Sequence, residues 1–250
     1  MKTEREAIIE RFHQVKMLGF VRSNRSNNTG IGKTFEDYIG VVENNLDEPD
    51  LYGYEIKSHR EDAGSYITLF TKSPDFPKQA NKYLRDTFGT PYDENPDLNK
   101  LHTSMFASKY NSYNERLSFR LINDRLAKTL RIGVYDYVTK NLIDSSVGYS
   151  YDSLQKILQR KLHRLFYVSA QRKRNADGVE EFYFDRADIF TEPSLENFLN
   201  MIDEGLIMYD IRIGSYSSGI KYGLPHDHGS GFRVLEGNLH LLYANKEIVE

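Results

Sequence analysis

Cysteine is absent from the 250 residues, which excludes disulfides, zinc–thiolate centres and thiol nucleophiles together. Any metal must then be held by carboxylates, carbonyls or histidines, a donor set suited to Mg²⁺ or Ca²⁺. Tryptophan is also absent, although 18 Tyr and 14 Phe are present; most of these tyrosines are expected to be core residues with one wet edge. No run of 18 apolar residues occurs, and the N-terminus has no signal-peptide apolar stretch. A soluble, cytoplasmic protein with no membrane partner is therefore expected. The length suits one large domain or two modest lobes.

The net charge of −3 hides local segregation. Residues 156–174 carry seven Lys or Arg and no acid, whereas residues 42–50 carry four acids and no base. A phosphate-binding loop is suggested by Gly32-Lys33-Thr34 but is incomplete. The glycine required five positions earlier is Asn27, and the polar residues before it cannot form the buried strand that such a loop needs. No nucleotide cofactor is expected. Thr34 and Asp37 instead suggest a capping box opening a helix, with Phe35, Tyr38, Ile39 and Val42 along one stripe over 35–44. Glu36 falls at the edge of that stripe.

Thr3 and Glu6 form a second capping-box pattern, before a helix whose Ile8, Ile9, Phe12 and Val15 share a face and whose end is marked by Gly19. Strands are expected over 51–58, 65–72, around 117–137, and over the hairpin joined by Asn175–Gly178. A helix is expected from Asp152, another at 193–205, and a strand at 206–214. The glycine-rich stretch after it reads as a loop, followed by a strand pair around Gly237. The sum is an α+β chain with a mixed sheet flanked by helices, divided near residue 145.

Asp50, Glu55 and Lys57 carry the chemistry. Alternate residues of a strand share a face, so Glu55 and Lys57 point the same way, about 7 Å apart, while Tyr52, Tyr54 and Ile56 point the other way. Asp50 precedes the strand and can swing toward Glu55. Two carboxylates beside one ammonium suit metal-assisted phosphodiester hydrolysis. A salt-bridged, exposed strand is the plain alternative, but of all the lysines only Lys57 follows an acid by two residues.

Farther along, Arg212, His226, His228 and Arg233 have the donor character that suits guanine and mixed base edges in a major groove, on a glycine-bearing loop. A metal pair at His226 and His228 with Asp227, or a plain surface loop, are the alternatives. Arg172, Lys173 and Arg174 read as phosphate contacts or as a solvated basic face, and Lys33 is grouped with the phosphate contacts.

The stretch from Phe35 to Gly40, followed by Pro49 to Ser58, resembles the core of the PD-(D/E)XK nucleases in the MutH-like branch. In length and motif it is most similar to the family of the restriction endonucleases MvaI and BcnI. The resemblance implies a sequence-specific type II enzyme that cuts short, nearly palindromic duplex DNA sites of the CC-N-GG type as a monomer. It implies a Mg²⁺ cofactor, with Ca²⁺ supporting binding without cleavage. It further implies that Asp50 and Glu55 are metal ligands, Lys57 the catalytic lysine and Glu36 an accessory acid. Residues 1–145 are then expected to form a catalytic lobe and 146–250 a DNA-recognition lobe around a DNA cleft. A MutH-like repair nickase and a non-catalytic DNA-binding module are the rival functions.

Overall fold

The N-terminal helix Glu4–Lys16 begins as its capping box dictates. Thr3 Oγ1 accepts the Glu6 amide at 3.2 Å, and Glu6 Oε2 accepts the Thr3 amide at 2.8 Å. Two of the four orphan donors of a helix start are thereby satisfied. Ile8, Phe12 and Val15 are buried on one face. The computed structural model describes residues 2–25, 30–41, 49–61 and 64–249, and these divide into two units. One comprises 1–64, 157–194 and 243–250; the other comprises 65–156 and 195–242. The single boundary expected near residue 145 is thus replaced by four crossings of the chain.

The first unit is built on a five-stranded sheet. The long strand Glu180–Pro193 pairs antiparallel with Val21–Arg22, Arg164–Arg174 and Tyr243–Val249. Glu55–Arg60 pairs parallel with Arg164–Arg174, placing Glu55 opposite Leu165 and Lys57 opposite Tyr167. That parallel pair makes the sheet mixed. Alternation then sorts the residues: Ile56, Phe166, Val168, Phe182 and Phe184 join Phe12 and Phe35 in one apolar cluster, leaving Glu55 and Lys57 on the other face. The expected hairpin at Asn175–Gly178 is present, with Asn175 N–H on Val179 O at 2.9 Å.

The helix at Gly30–Ile39 starts earlier than its sequence suggests. Thr34 lies inside it and is fully buried; its hydroxyl accepts the Asn24 amide at 3.0 Å. Asp37 pairs with Lys33 at 2.9 Å rather than reaching back to cap the helix. The apolar residues Ile31, Phe35 and Ile39 explain the earlier start, since they repeat at helical spacing from within the glycine segment. Gly32-Lys33-Thr34 therefore lies inside the helix. Val42, expected on the same stripe, lies outside the described residues, as does Asn27.

The stretch 51–54 is a turn rather than the first half of a strand. Leu51 and Tyr54 exchange backbone hydrogen bonds of 2.9 and 3.1 Å. Tyr52 and Gly53 both take positive φ (49° and 74°), the pairing that a tight primed turn demands. Tyr54 and Ile56 are buried as expected, but Tyr52 is exposed at the tip.

The second unit holds a sheet in which Ile207–Ser215 is central. It is flanked by Asn99–Met105 on one side and Gly231–Leu235 on the other, with Tyr66–Thr71 beyond the latter. Pro225–Asp227 also pairs with Ile207–Ser215, so the glycine-rich stretch contains a short strand. A separate three-stranded sheet runs Leu117–Asp124, Thr129–Asp136, Leu142–Ser150. No strand pair forms around Gly237: residues Glu236–Leu242 are a 3₁₀ helix, and the strand after it belongs to the first unit's sheet.

Candidate active site

The 51–54 turn is what brings the acids together. By reversing the chain immediately after Asp50, it lets Asp50 Oδ2 accept the amide N–H of Ile56 at 2.8 Å. Asp50 is exposed as a residue, yet its carboxylate is turned inward beside the strand carrying Glu55. Burial of the carboxyl, and after that the charge of Glu55, push its pKa above the ordinary value; the Ile56 amide and Lys57 oppose this. Two carboxylates are thus held close together away from bulk water. Lys57 Nζ supplies one positive charge, 3.0 Å from Glu55 Oε1, with both side chains mostly covered (17% and 12% exposed).

Glu36 is half-buried on the helix Gly30–Ile39, which packs on the Glu55–Arg60 strand. Its carboxylate lies back over Gly32: a Cβ built there would stand 3.8 Å from Glu36 Oε1. Asp50, Glu55 and Lys57 are thus brought together, with Glu36 on a neighbouring element. Two further residues share this environment without any local sequence signal. His59, buried, stacks on Tyr167 at 6.2 Å between centroids. Tyr243 is also buried, its ring 5.3 Å from Phe190, and burial followed by the Glu55 charge raises its hydroxyl pKa. Tyr243 stands almost 190 positions from Glu55, so only the sheet reveals their neighbourhood.

The basic hairpin is more internally balanced than its sequence suggests. Arg172 lies 3.6 Å from Glu180, and Lys173 lies 3.3 Å from Glu181 and over the Phe20 ring at 4.1 Å. About half of each cationic side chain remains exposed. Arg164 pairs with Glu4 and lies over Tyr54.

In the second unit, Arg212, His226, His228 and Arg233 gather on and beside the strand Ile207–Ser215. Tyr216 and His226 stack at 4.3 Å and 9°, His226 meets His228 at 4.1 Å, and His102 adds a third imidazole 6.1 Å from His228. Burial, then the charge of His228, lower the His102 pKa. The cluster rests above Gly214, where a Cβ would come within 2.5 Å of Tyr92 Oη and 2.8 Å of His228 Nε2. Any larger residue there would require one of the two rings to shift. A pocket of 640 Å³ adjoins them, lined in part by Tyr92, Glu94 and Ser217.

For the metal alternative at His226 and His228, the neighbouring Asp227 is already engaged. Asp227 Oδ1 accepts the amides of Gly229 and Ser230, and Oδ2 accepts Asn81 Nδ2 at 2.9 Å. Among the described residues no group of three or more His, Asp or Glu could hold a metal. The residue that sequence reasoning missed here is Asp210, whose buried carboxylate lies against Arg212 at 2.6 Å and Arg233 at 3.0 Å.

A family model described as the MvaI/BcnI restriction endonuclease family matches residues 9–243. Two solved structures are similar over the whole chain, each 35% identical. One, "Restriction endonuclease MvaI-cognate DNA substrate complex", is covered over 100% of both chains with a TM-score of 0.88. The other, "Restriction endonuclease MvaI in the absence of DNA", covers 100% of this chain and 99% of that one with a TM-score of 0.67. No curated protein matches this chain. The expected α+β architecture with a mixed sheet is the one observed, and it is the fold of these restriction endonucleases.

Proposed function

The chain belongs to the MvaI/BcnI restriction endonuclease family and is a sequence-specific restriction endonuclease; from that premise we propose that it hydrolyses phosphodiester bonds of duplex DNA with Mg²⁺ held by Asp50 and Glu55. Action as a monomer on a short CC-N-GG-type site belongs to the same proposal. The similar MvaI structure is a complex with cognate DNA, which supports duplex DNA as the substrate. Such DNA is cytoplasmic in a bacterial-type cell. No helix among the described residues is long and apolar enough to cross a membrane.

The observation that carries this reading is the convergence of Asp50, Glu55 and Lys57 through the 51–54 turn. The donor set fits a small hard cation. Both ligands are carboxylates; burial first, and the Glu55 charge after it, raise the Asp50 pKa, and a divalent ion between the two acids would favour their charged forms. Two protein ligands would suffice for Mg²⁺, because water and substrate phosphate would supply the remaining oxygens. When bound it polarises the phosphate and lowers the pKa of a coordinated water.

The chain's own groups do the remaining work. The Ile56 amide fixes Asp50, so that carboxylate enters the reaction already oriented. Lys57 is held over Glu55 and has donors left to orient a water and to offset charge developing on the phosphate oxygens. Glu36 acts as an accessory acid. The second unit reads bases through Arg212, Arg233, His226 and His228, and Arg172, Lys173, Arg174 and Lys33 grip phosphates.

The deciding experiment is incubation of plasmid DNA with and without Mg²⁺. Discrete fragments appearing only with metal support the proposal. Nicked circles alone favour a repair-type nickase, and untouched plasmid in Mg²⁺ overturns the catalytic reading.

A further inference from the structure

The two arginines assigned to base reading are not equivalent, and one carboxylate stands between them. Asp210 lies in the strand Ile207–Ser215, opposite Ser104 on one side and Gly231 on the other. Its side chain is 8% exposed. Oδ1 accepts the Ser104 hydroxyl at 2.7 Å, while Oδ2 lies 2.6 Å from Arg212 Nε and 3.0 Å from Arg233 Nε.

Arg233 is sunk into the protein. Its Nη1 donates to Thr68 Oγ1, its Nη2 donates to Gly229 O at 3.2 Å, and its side chain is 14% exposed. Burial lowers its pKa. Arg212 is half-exposed and differently held: Nε donates to Asp210, and its backbone N–H donates to Ser230 Oγ at 2.8 Å. Its two terminal nitrogens make no bond among the described residues. Pinning an arginine at Nε while leaving both Nη groups outward presents a planar pair of donors, the arrangement that matches O6 and N7 of guanine.

We infer that Asp210 is a positioning residue for sequence reading, fixing Arg212 so that its Nη edge is oriented before DNA arrives, with the Arg233 cation completing the mount. The inference rests on the proposed base contact by Arg212. Three partners share the Asp210 carboxylate: Ser104 sets its rotamer, Arg233 compensates its charge within the protein, and Arg212 takes its direction from it. Asp210 therefore favours the right sequence by aiming a base contact.

The test is a double-mutant cycle read as the ratio of cognate to random-duplex affinity in Ca²⁺, with thermal unfolding of every variant. Asp210→Asn keeps shape and removes charge; it should lower the ratio about tenfold, the scale of one weakened bidentate contact, with random-duplex affinity unchanged or tighter. In an Arg212→Ala background the same substitution should change the ratio by less than about twofold, because its effect passes through Arg212. An undiminished ratio in Asp210→Asn, when Arg212→Ala has lost its own, overturns the inference alone. Equal losses in both backgrounds also overturn it. An unchanged ratio in Arg212→Ala overturns the base-contact reading and the inference with it. If Asp210→Asn unfolds, Ser104→Ala withdraws the rotamer support, leaves every charge in place, and should give a smaller loss in the same cycle.

Discussion

The Asp50 carboxylate accepts the amide of Ile56 at 2.8 Å, so the first acid of the site is tied to the residue immediately after the second. One hydrogen bond across a tight turn sets the spacing of the pair. It also explains why the motif tolerates an irregular segment between its acids: the turn, rather than a continuous strand, determines where Asp50 points.

Removing any of the three central groups should abolish cutting and spare the fold. Asp50→Ala, Glu55→Ala and Lys57→Ala are expected to lower the cleavage rate by at least about 10²–10³-fold, the scale for losing one transition-state contact. Far-UV circular dichroism should match the parent. Cognate binding in Ca²⁺ should survive Lys57→Ala. Full activity in either carboxylate variant would remove the site from this strand.

Without metal, Asp50 should oppose stability at neutral pH. Its folded-state pKa is raised, so folding favours the protonated acid. That contribution is present below the unfolded-state value and is lost as pH rises through the folded one. Asp50→Asn should therefore melt higher than the parent at pH 7 in a chelator, with the advantage vanishing in acid. Added Ca²⁺ should raise the parent's melting temperature more than the variant's. The reverse order in either melting series would contradict the cost assigned to burying the Asp50 charge beside Glu55.

Glu36→Gln should weaken cleavage less than Asp50→Asn does. Glu36 sits on a neighbouring helix with its carboxylate lying back over Gly32, whereas Asp50 is fixed beside Glu55. Single-turnover rates for the two variants compare them directly, and a larger loss in Glu36→Gln would invert their roles.

The hairpin cations and the strand arginine should separate in salt titrations. Truncating Arg172 or Lys173 should weaken cognate and random duplexes alike and lower the salt dependence by up to about one unit each. The shortfall from a full unit measures the charge already taken by Glu180 and Glu181. Arg212→Ala should instead cost about 1–3 kcal/mol on cognate DNA alone. Selectivity losses in the hairpin variants would make the hairpin the reading element.

Much of this was legible because local chemistry decided it. The Thr3–Glu6 capping box, the Asn175–Gly178 hairpin and the Glu55-x-Lys57 strand each need only a few neighbouring residues. Thr34 misled because a capping pattern competes with helical periodicity, and burying Ile31 favours the longer helix. Tyr52 misled because alternation cannot anticipate a turn with two positive φ angles. Asp210 and Tyr243 were invisible for a different reason. Tyr243 matters through Phe190 on a distant strand; Asp210 does face Arg212 two residues on, but the Ser104 and Arg233 partners that bury its charge lie on other strands, and no short window of sequence holds those pairs.

For anyone hoping to graft a new specificity onto this catalytic machinery, the path of the chain sets the terms. A chimera joined near residue 145 would take from the first unit the strands Arg164–Arg174, Glu180–Pro193 and Tyr243–Val249, three of the five in its sheet. Glu55 and Lys57 would be stranded on a ribbon without its parallel neighbour. Exchange of the second unit must therefore be made as two inserts, 65–156 and 195–242, spliced into the first.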